Sequence, residues 1–134
     1  MNKNNYAAIT YNQTTDYHTN GNYGLIASCS KDEFRPFLRT WFEPVSNLIG
    51  ETISFSCDVK SLNDPLTVTV YQYDGSTYSS SRINVPANTE SRYVVTTTVA
   101  NTTIALWLGI EFQQRVNTGN NFYTDNWKLF LHDS

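Results

Sequence analysis

Residues 52–59 read TISFSCDV, and this stretch decides the fold class because apolar and polar side chains alternate through it. Ile53, Phe55, Cys57 and Val59 fall on one face, while the intervening polar residues fall on the other. Successive side chains of a β-strand point to opposite faces, so this period of two predicts a strand with one buried face. A helix would need a period of 3.6 residues, which the stretch does not show.

The same alternation recurs on both sides of this strand. Further predicted strands lie at residues 23–30, 36–42, 66–73, 80–85, 92–99, 103–113 and 126–132. Turns rich in Gly, Asn and Pro separate them, since these residues supply positive φ or end a ladder. Seven or eight short strands of this kind predict an all-β fold, a two-sheet antiparallel β-sandwich, as one domain over residues 1–134.

The composition narrows the range of ligands that the protein is expected to bind. Charged residues make up 16% of the 134 residues, against about 25% in ordinary soluble domains. Asn, Thr, Ser, Gln and Tyr take their place, so the surface is polar and mostly neutral, which suits uncharged polar ligands such as sugars. The nine basic residues are scattered within a net charge of −3, so nucleic acid is not an expected partner. Apolar runs such as residues 104–110 are too short to span a bilayer, so no membrane insertion is predicted.

Nothing in the sequence marks a catalytic centre. His18 and His132 lie near opposite ends of the chain, without metal-ligand spacing. The sequence contains no nucleophile elbow, no zinc-protease motif and no Gly-rich phosphate loop. Most acids lie in predicted turns, and a lone strand acid such as Glu111 is more typical of ligand binding than of a catalytic pair. The chain is therefore predicted not to be an enzyme.

The order of segments resembles a known family of binding modules. It runs from GNYGLI at residues 21–26 through an Arg/Trp strand at 35–41 and the segment PVSNLIGETISFSCDVKS at 44–61 to FYTDNWKL at 122–129. This order is similar to that of the galactose-binding-like jelly roll of carbohydrate-binding modules, which are attached to glycoside hydrolases, adhesins and phage tail proteins. The resemblance covers residues 9–131 and implies a glycan-binding protein located outside the cell or on a virion surface.

The resemblance also implies a structural calcium ion near the two chain ends. Asp125 matches the family's ligand position, and Asp16 in the N-terminal stretch is predicted to supply a second oxygen. Calcium takes six to eight oxygens, so backbone carbonyls would have to complete the set. The alternative is that Asp125 caps a turn through its own backbone.

The two cysteines have two possible interpretations, and two of the tryptophans are assigned a structural role. Cys29 and Cys57 both fall in predicted strands, where they either remain buried free thiols or form a disulfide, and both possibilities stay open. Trp41 and Trp127 are assigned to the core, and Leu129 and Leu131 are predicted to point inward with Trp127.

Outward-facing aromatic and polar residues form the predicted binding face. Sugar rings stack their C–H faces on Trp and Tyr, while their hydroxyls bond to Arg, Gln, Glu and Asn. Gly109 is interpreted as leaving room for a ligand ring beside Trp107. The predicted ligand-binding residues are Trp107, Glu111, Gln113, Tyr71, Tyr73 and Arg39.

These observations predict a non-catalytic module that binds a polysaccharide or cell-surface glycan and targets a larger protein or particle to it. Contacts with other domains or subunits of a larger assembly are expected as well. The alternative is a structural virion or cell-surface accessory domain, of a phage tail or capsid, which acts through protein–protein contacts because the fold alone does not fix function.

Overall fold

Eleven strands account for most of the described chain. The structure is a computed structural model that describes residues 9–30 and 33–132, so residues 1–8, 31–32 and 133–134 of the predicted domain lie outside the described residues. A short 3₁₀ helix spans Ser46–Leu48. The strands are β1 (Ile9–Thr14), β2 (Gly24–Cys29), β3 (Glu33–Phe34), β4 (Phe37–Phe42), β5 (Thr52–Ser61), β6 (Leu66–Tyr73), β7 (Tyr78–Val85), β8 (Glu90–Thr98), β9 (Ala105–Phe112), β10 (Arg115–Val116) and β11 (Asn121–Leu131).

The strands form two antiparallel sheets. One sheet has five strands in the order β1-β2-β11-β5-β8, and the other has four in the order β4-β9-β6-β7. The short strands β3 and β10 pair with each other. Phe112 of the four-stranded sheet and Phe122 of the five-stranded sheet meet edge to face at 5.4 Å between ring centroids. The predicted all-β, two-sheet jelly-roll sandwich is confirmed.

The core lies between the sheets and consists of the predicted apolar stripes. On β5, Ile53, Phe55, Cys57 and Val59 are all buried, as their alternation predicts. Inward residues of β6 and β9 complete the cluster from the other sheet. Each such side chain contributes about 1.5–3 kcal/mol on leaving water, so the packing of these stripes is the main source of stability.

Cys29 and Cys57 are both buried thiols, and neither is in a disulfide, so the structure does not contain the bridge that the sequence left open. Burial raises the pKa of the Cys57 thiol, which keeps it neutral. A neutral buried thiol is a poor nucleophile, so this residue acts as a small apolar core residue.

Strand β11 changes phase in its middle. Its pairing with β5 shifts between Asp125 and Lys128, where Asn126 adopts a left-handed φ of 56°. This bulge turns Trp127 toward the core, where its ring meets Phe55 edge to face at 5.3 Å. Leu129 packs against the core as predicted. The prediction for Leu131 was wrong: it is 56% exposed, because the strand continues past the core to its end.

Candidate functional site

The outer face of the four-stranded sheet collects the polar and aromatic residues of four strands. Residues directly opposite each other in an antiparallel ladder share a face, so the pairings place them together. Trp41 lies opposite Trp107, Trp107 lies opposite Tyr71, and Tyr73 lies opposite Tyr78. The face is therefore built from side chains that are far apart in the sequence.

An aromatic row crosses this face from one edge strand to the other. It consists of Trp41, Trp107, Tyr73 and Tyr78, which come from β4, β9, β6 and β7. The ring of Trp107 lies 4.8 Å from Trp41, 4.6 Å from Tyr78 and 5.7 Å from Tyr73, between ring centroids. Trp107 is only 7% exposed because these rings cover it. The exposed Trp41 belongs to this row and not to the core, so its core assignment was wrong.

A polar row runs beside the aromatic row. It consists of Arg35, Glu111, Tyr71 and Arg82, linked by hydrogen bonds. Arg35 forms an ion pair with Glu111 at 3.2 Å, and the Tyr71 hydroxyl donates to Glu111 Oε1 at 3.2 Å. Arg82 in turn donates to the Tyr71 hydroxyl at 3.3 Å. Burial, followed by the charge of Glu111, raises the pKa of Tyr71, so its hydroxyl stays protonated and keeps donating.

Arg39, on β4, lies between the two rows. At this point β9 approaches β4 very closely. The Cζ atom of Arg39 is 4.5 Å from the centroid of the Trp107 ring, which is a cation–π geometry. Its partner in the ladder is Gly109, where a Cβ would meet the Leu38 carbonyl oxygen and lie 2.7 Å from the Phe37 ring. The space at Gly109 is thus filled by β4 and Phe37, and the prediction that it leaves room for a ligand ring was wrong.

These residues line an open cleft of about 240 Å³. Its walls are formed by Arg35, Phe37, Arg39, Tyr71, Tyr78, Trp107 and Glu111. Three buried polar atoms of the described residues have no hydrogen-bond partner in the protein, and all three belong to this face: Nε of Arg35, Oγ1 of Thr69 and Nε1 of Trp107. Buried polar atoms without partners are uncommon and costly.

Four of the six predicted ligand-binding residues line this cleft, namely Trp107, Glu111, Tyr71 and Arg39. Tyr73 shares the face but lies in the aromatic row, stacked against Trp107 with an interplanar angle of 12°. Gln113 follows the end of β9, where its amide donates to the Leu66 carbonyl at 2.8 Å. That the cleft residues bind a ligand stays a prediction.

Sequence reasoning missed three residues that line the cleft. Arg35 precedes β4 and adopts a positive φ of 51°, which turns it out of the regular alternation. Phe37 faces outward between two strands. Tyr78 begins β7 two residues before the predicted start at Ser80. Its position three residues after the turn at Gly75 is the signal that identifies it, because hairpin strands pair up to the turn.

The two predicted metal ligands lie apart from this cleft. Asp125 accepts hydrogen bonds from the backbone N–H groups of Thr19 at 2.7 Å and Asn20 at 2.9 Å. Asp16 is exposed after β1, where its N–H donates to the Thr14 hydroxyl at 3.0 Å. Within residues 9–30 and 33–132, no group of three or more His, Cys, Asp or Glu side chains is arranged to hold a metal ion.

The Asp125 carboxylate links the loop at Thr19 to strand β11 through hydrogen bonds. It lies opposite Asp58 in the β11–β5 ladder, and the Thr19 hydroxyl donates to both carboxylates. Asp58 also forms an ion pair with Arg92 at 3.0 Å. Partial desolvation acts to raise the pKa of Asp125, but the bonds from Thr19, Asn20 and Asn126 outweigh it and hold the pKa below its ordinary value. Because N–H and O–H donors already use these oxygens, the arrangement fits a structural tie better than a calcium ligand set.

Comparison with known proteins identifies the class of fold. The sequence matches no family model, and no curated protein matches it in sequence. The structure is similar to the C-terminal family 22 carbohydrate-binding module of Clostridium thermocellum Xyn10B, with a TM-score of 0.69 and 13% identity over 92% of this chain and 80% of that one. The chain therefore shares the β-sandwich fold of this carbohydrate-binding module.

Two further solved structures show how widely this fold is used. A carbohydrate-binding module of the β-sandwich superfamily gives a TM-score of 0.60 at 14% identity over 92% of this chain, which spans about half, 54%, of that chain. The enzymatically active domain of tailspike protein 4 from bacteriophage CBA120 gives 0.66 at 12% identity, over 96% of this chain and 20% of that one. In the part of this chain that the structure describes, no helix is long and apolar enough to cross a membrane.

Proposed function

We propose that this chain is a non-catalytic glycan-binding module that holds a larger protein or particle at a polysaccharide or cell-surface glycan. The site is the cleft on the outer face of the four-stranded sheet. Its work takes place outside the cell or on a virion surface, where such glycans are found. No nucleic acid and no membrane insertion form part of this function.

One observation carries the proposal: the open cleft on this face is lined by aromatic rings together with arginine, tyrosine hydroxyl and carboxylate groups. A sugar ring offers C–H faces to rings such as Tyr78 and Trp107, and its hydroxyls accept and donate hydrogen bonds. The cleft supplies both kinds of contact within one surface. The similar family 22 module uses residues of a cleft in ligand binding, which supports placing the ligand here.

A tyrosine pair tests this proposal. Tyr78 lines the cleft and Tyr23 lies just before β2, and both side chains are 53% exposed. Stacking of one aromatic ring contributes about 1 kcal/mol, so we expect Tyr78→Ala to weaken glycan binding about fivefold. Tyr23→Ala is the matched control and should leave the affinity unchanged. Affinity electrophoresis in gels containing xylan, galactan, mannan or polygalacturonate measures both variants.

Two outcomes would contradict the proposal. Equal affinity of both variants for a bound glycan would move the site away from the cleft. Absence of binding to every polysaccharide in the panel would favour a different function, which is a structural virion or cell-surface domain acting through protein–protein contacts. The similarity to a phage tailspike domain supports that second candidate. A stable oligomer on size-exclusion chromatography, indifferent to glycans, would establish it, whereas a glycan-binding monomer would exclude it.

Calcium binding through Asp125 and Asp16 remains a prediction, and chelation tests it. A ligand bound only by the native state stabilises that state by mass action, by about 2.7 kcal/mol at a hundredfold excess over Kd. If calcium binds, EDTA should lower the melting temperature, calcium should restore it, and Asp125→Asn should abolish the response. A melting curve that EDTA does not move would leave Asp125 as a hydrogen-bonded link between the loop at Thr19 and strand β11.

A further inference from the structure

The cleft face has a charge opposite to that of the whole chain. Among the described side chains of this face, Arg35, Arg39 and Arg82 stand against two carboxylates, Glu111 in the cleft and Glu43, which accepts from Nε1 of Trp41 at 2.9 Å. The full chain has a net charge of −3. A cation excess confined to one cleft of an acidic domain raises the local concentration of anionic ligands there.

Two of the three arginines already have partners. Arg35 forms the ion pair with Glu111. Arg82 donates to the Tyr71 hydroxyl at 3.3 Å and to the Ser80 hydroxyl at 3.0 Å. These bonds fix both guanidinium groups in the polar row.

Arg39 has no such partner. The ion pairs of the described residues join Arg35 to Glu111 and Arg92 to Asp58, and Arg39 belongs to neither. Desolvation lowers its pKa, and the effect of Tyr78, not that of a carboxylate, acts in the opposite direction. Holding a partly buried cation without an anion is unfavourable. Its Cζ atom lies over the Trp107 ring, and the hydrogen bonds of the described residues include none from its guanidinium. Its N–H groups therefore remain available for two-pronged recognition of a carboxylate.

Two buried N–H donors at the cleft have no acceptor. Nε of Arg35 and Nε1 of Trp107 are donors only, and neither meets an acceptor of the described protein. The carboxylate of Glu111 already accepts from Arg35 and Tyr71. Because this carboxylate is already engaged, a ligand that pairs with Arg39 must bring its own acceptor oxygens.

We infer that the cleft selects acidic glycans and binds the carboxylate of a uronic acid residue on the N–H edge of Arg39. The inference rests on the proposed function, because it names the class of glycan for the same site. The sugar ring stacks beside Tyr78 and Trp107 while its carboxylate faces Arg39. Arg82, at the far side of Tyr71, adds long-range attraction without being required for contact.

Matched polymers test the selectivity on the unaltered protein. Polygalacturonate, alginate and glucuronoxylan are compared by isothermal titration calorimetry with their carboxyl-reduced forms, in which each carboxylate becomes a neutral CH₂OH group on the same backbone. We expect at least one acidic polymer to bind ten times more tightly than its reduced form, because hydrogen bonds to a charged group are about twice as strong as neutral ones. Added salt should narrow the difference, since it screens the attraction.

Two variants assign the selectivity to Arg39. Arg39→Gln should reduce the preference for the acidic form to less than threefold, and Arg39→Lys should restore only part of it, because an ammonium group lacks the planar fork. Lys128→Gln removes the same unit of charge from an exposed position on β11 and is the control. Circular dichroism melts confirm that each variant is folded.

Each outcome decides one of the two proposals. Equal binding of acidic and reduced polymers, or binding of neutral xylan and galactan alone, overturns the selectivity and leaves glycan binding standing. A preference for acidic polymers that survives in Arg39→Gln overturns the role of Arg39. Failure of every polymer, acidic or neutral, overturns both proposals.

Discussion

Trp107→Ala is expected to abolish most glycan binding and also to lower the free energy of unfolding by about 3 kcal/mol, in the range of buried Trp truncations. Alternation alone places Trp107 on the outward face, where truncation would be expected to leave the stability almost unchanged. The structure changes that expectation, since Trp107 is 7% exposed under three other aromatic rings and Arg39. Removing the indole takes away the centre of the aromatic row.

A second tryptophan provides the control for this experiment. Trp127 packs on the opposite sheet against Phe55, so Trp127→Ala should cost comparable stability without touching the cleft. Chemical denaturation gives the free energies, and glycan titration at a temperature where both variants are folded gives the affinities. If both variants lose affinity equally, the loss reflects stability and the cleft is not the binding site. An unchanged free energy for Trp107→Ala would mean that the aromatic row does not form.

Gly109→Ala is expected to destabilise the protein by about 3 kcal/mol and to remove binding with it. A Cβ at this position would meet the Leu38 carbonyl oxygen and lie 2.8 Å from the Cα atom of Arg39, so β4 would have to move away from β9. The backbone cannot move aside as a flexible side chain can. Because β4 carries Phe37 and Arg39, its displacement would open the wall of the cleft.

Gly24→Ala is the matched glycine control. A Cβ at Gly24 would meet the Tyr17 carbonyl oxygen, which is also backbone, but Gly24 lies on β2 of the five-stranded sheet. We expect both variants to melt at lower temperature and only Gly109→Ala to lose affinity when both are measured folded. A Gly109→Ala protein that melts like the wild type would show that β4 and β9 are farther apart than described.

Strand alternation predicted the sheets well because burial on one face imposes a period of two. Strand β6 has the predicted bounds, and β5 buries the predicted four residues. Alternation failed where both faces of a strand are apolar or where a bulge intervenes. Phe37 and Leu38 are adjacent and both buried, so the facing of β4 was ambiguous and Trp41 was assigned to the wrong side.

The site was predicted only in part, because alternation gives the face of a residue and not its neighbours. Trp107, Glu111 and Tyr71 were identified from their facing, and Arg39 from its place in a strand that could join the same sheet. The order β4-β9-β6-β7 is what brings them together, and it depends on long-range pairing that no local pattern encodes. The assembled sheet is also needed to see that Tyr78 covers Trp107. The same holds for the positive φ that directs Arg35 to Glu111.

The stacking of Arg39 on Trp107 has a consequence for the entropy of association. A free arginine side chain has about 2 kcal/mol of rotamer entropy, which a flexible binding residue loses when it grips a ligand. In this protein the loss occurs when the chain folds, because Trp107 and Tyr78 already restrict the guanidinium. The Arg39 side chain is thus already ordered, so under the proposed function a glycan that binds this cleft would not have to restrict it further.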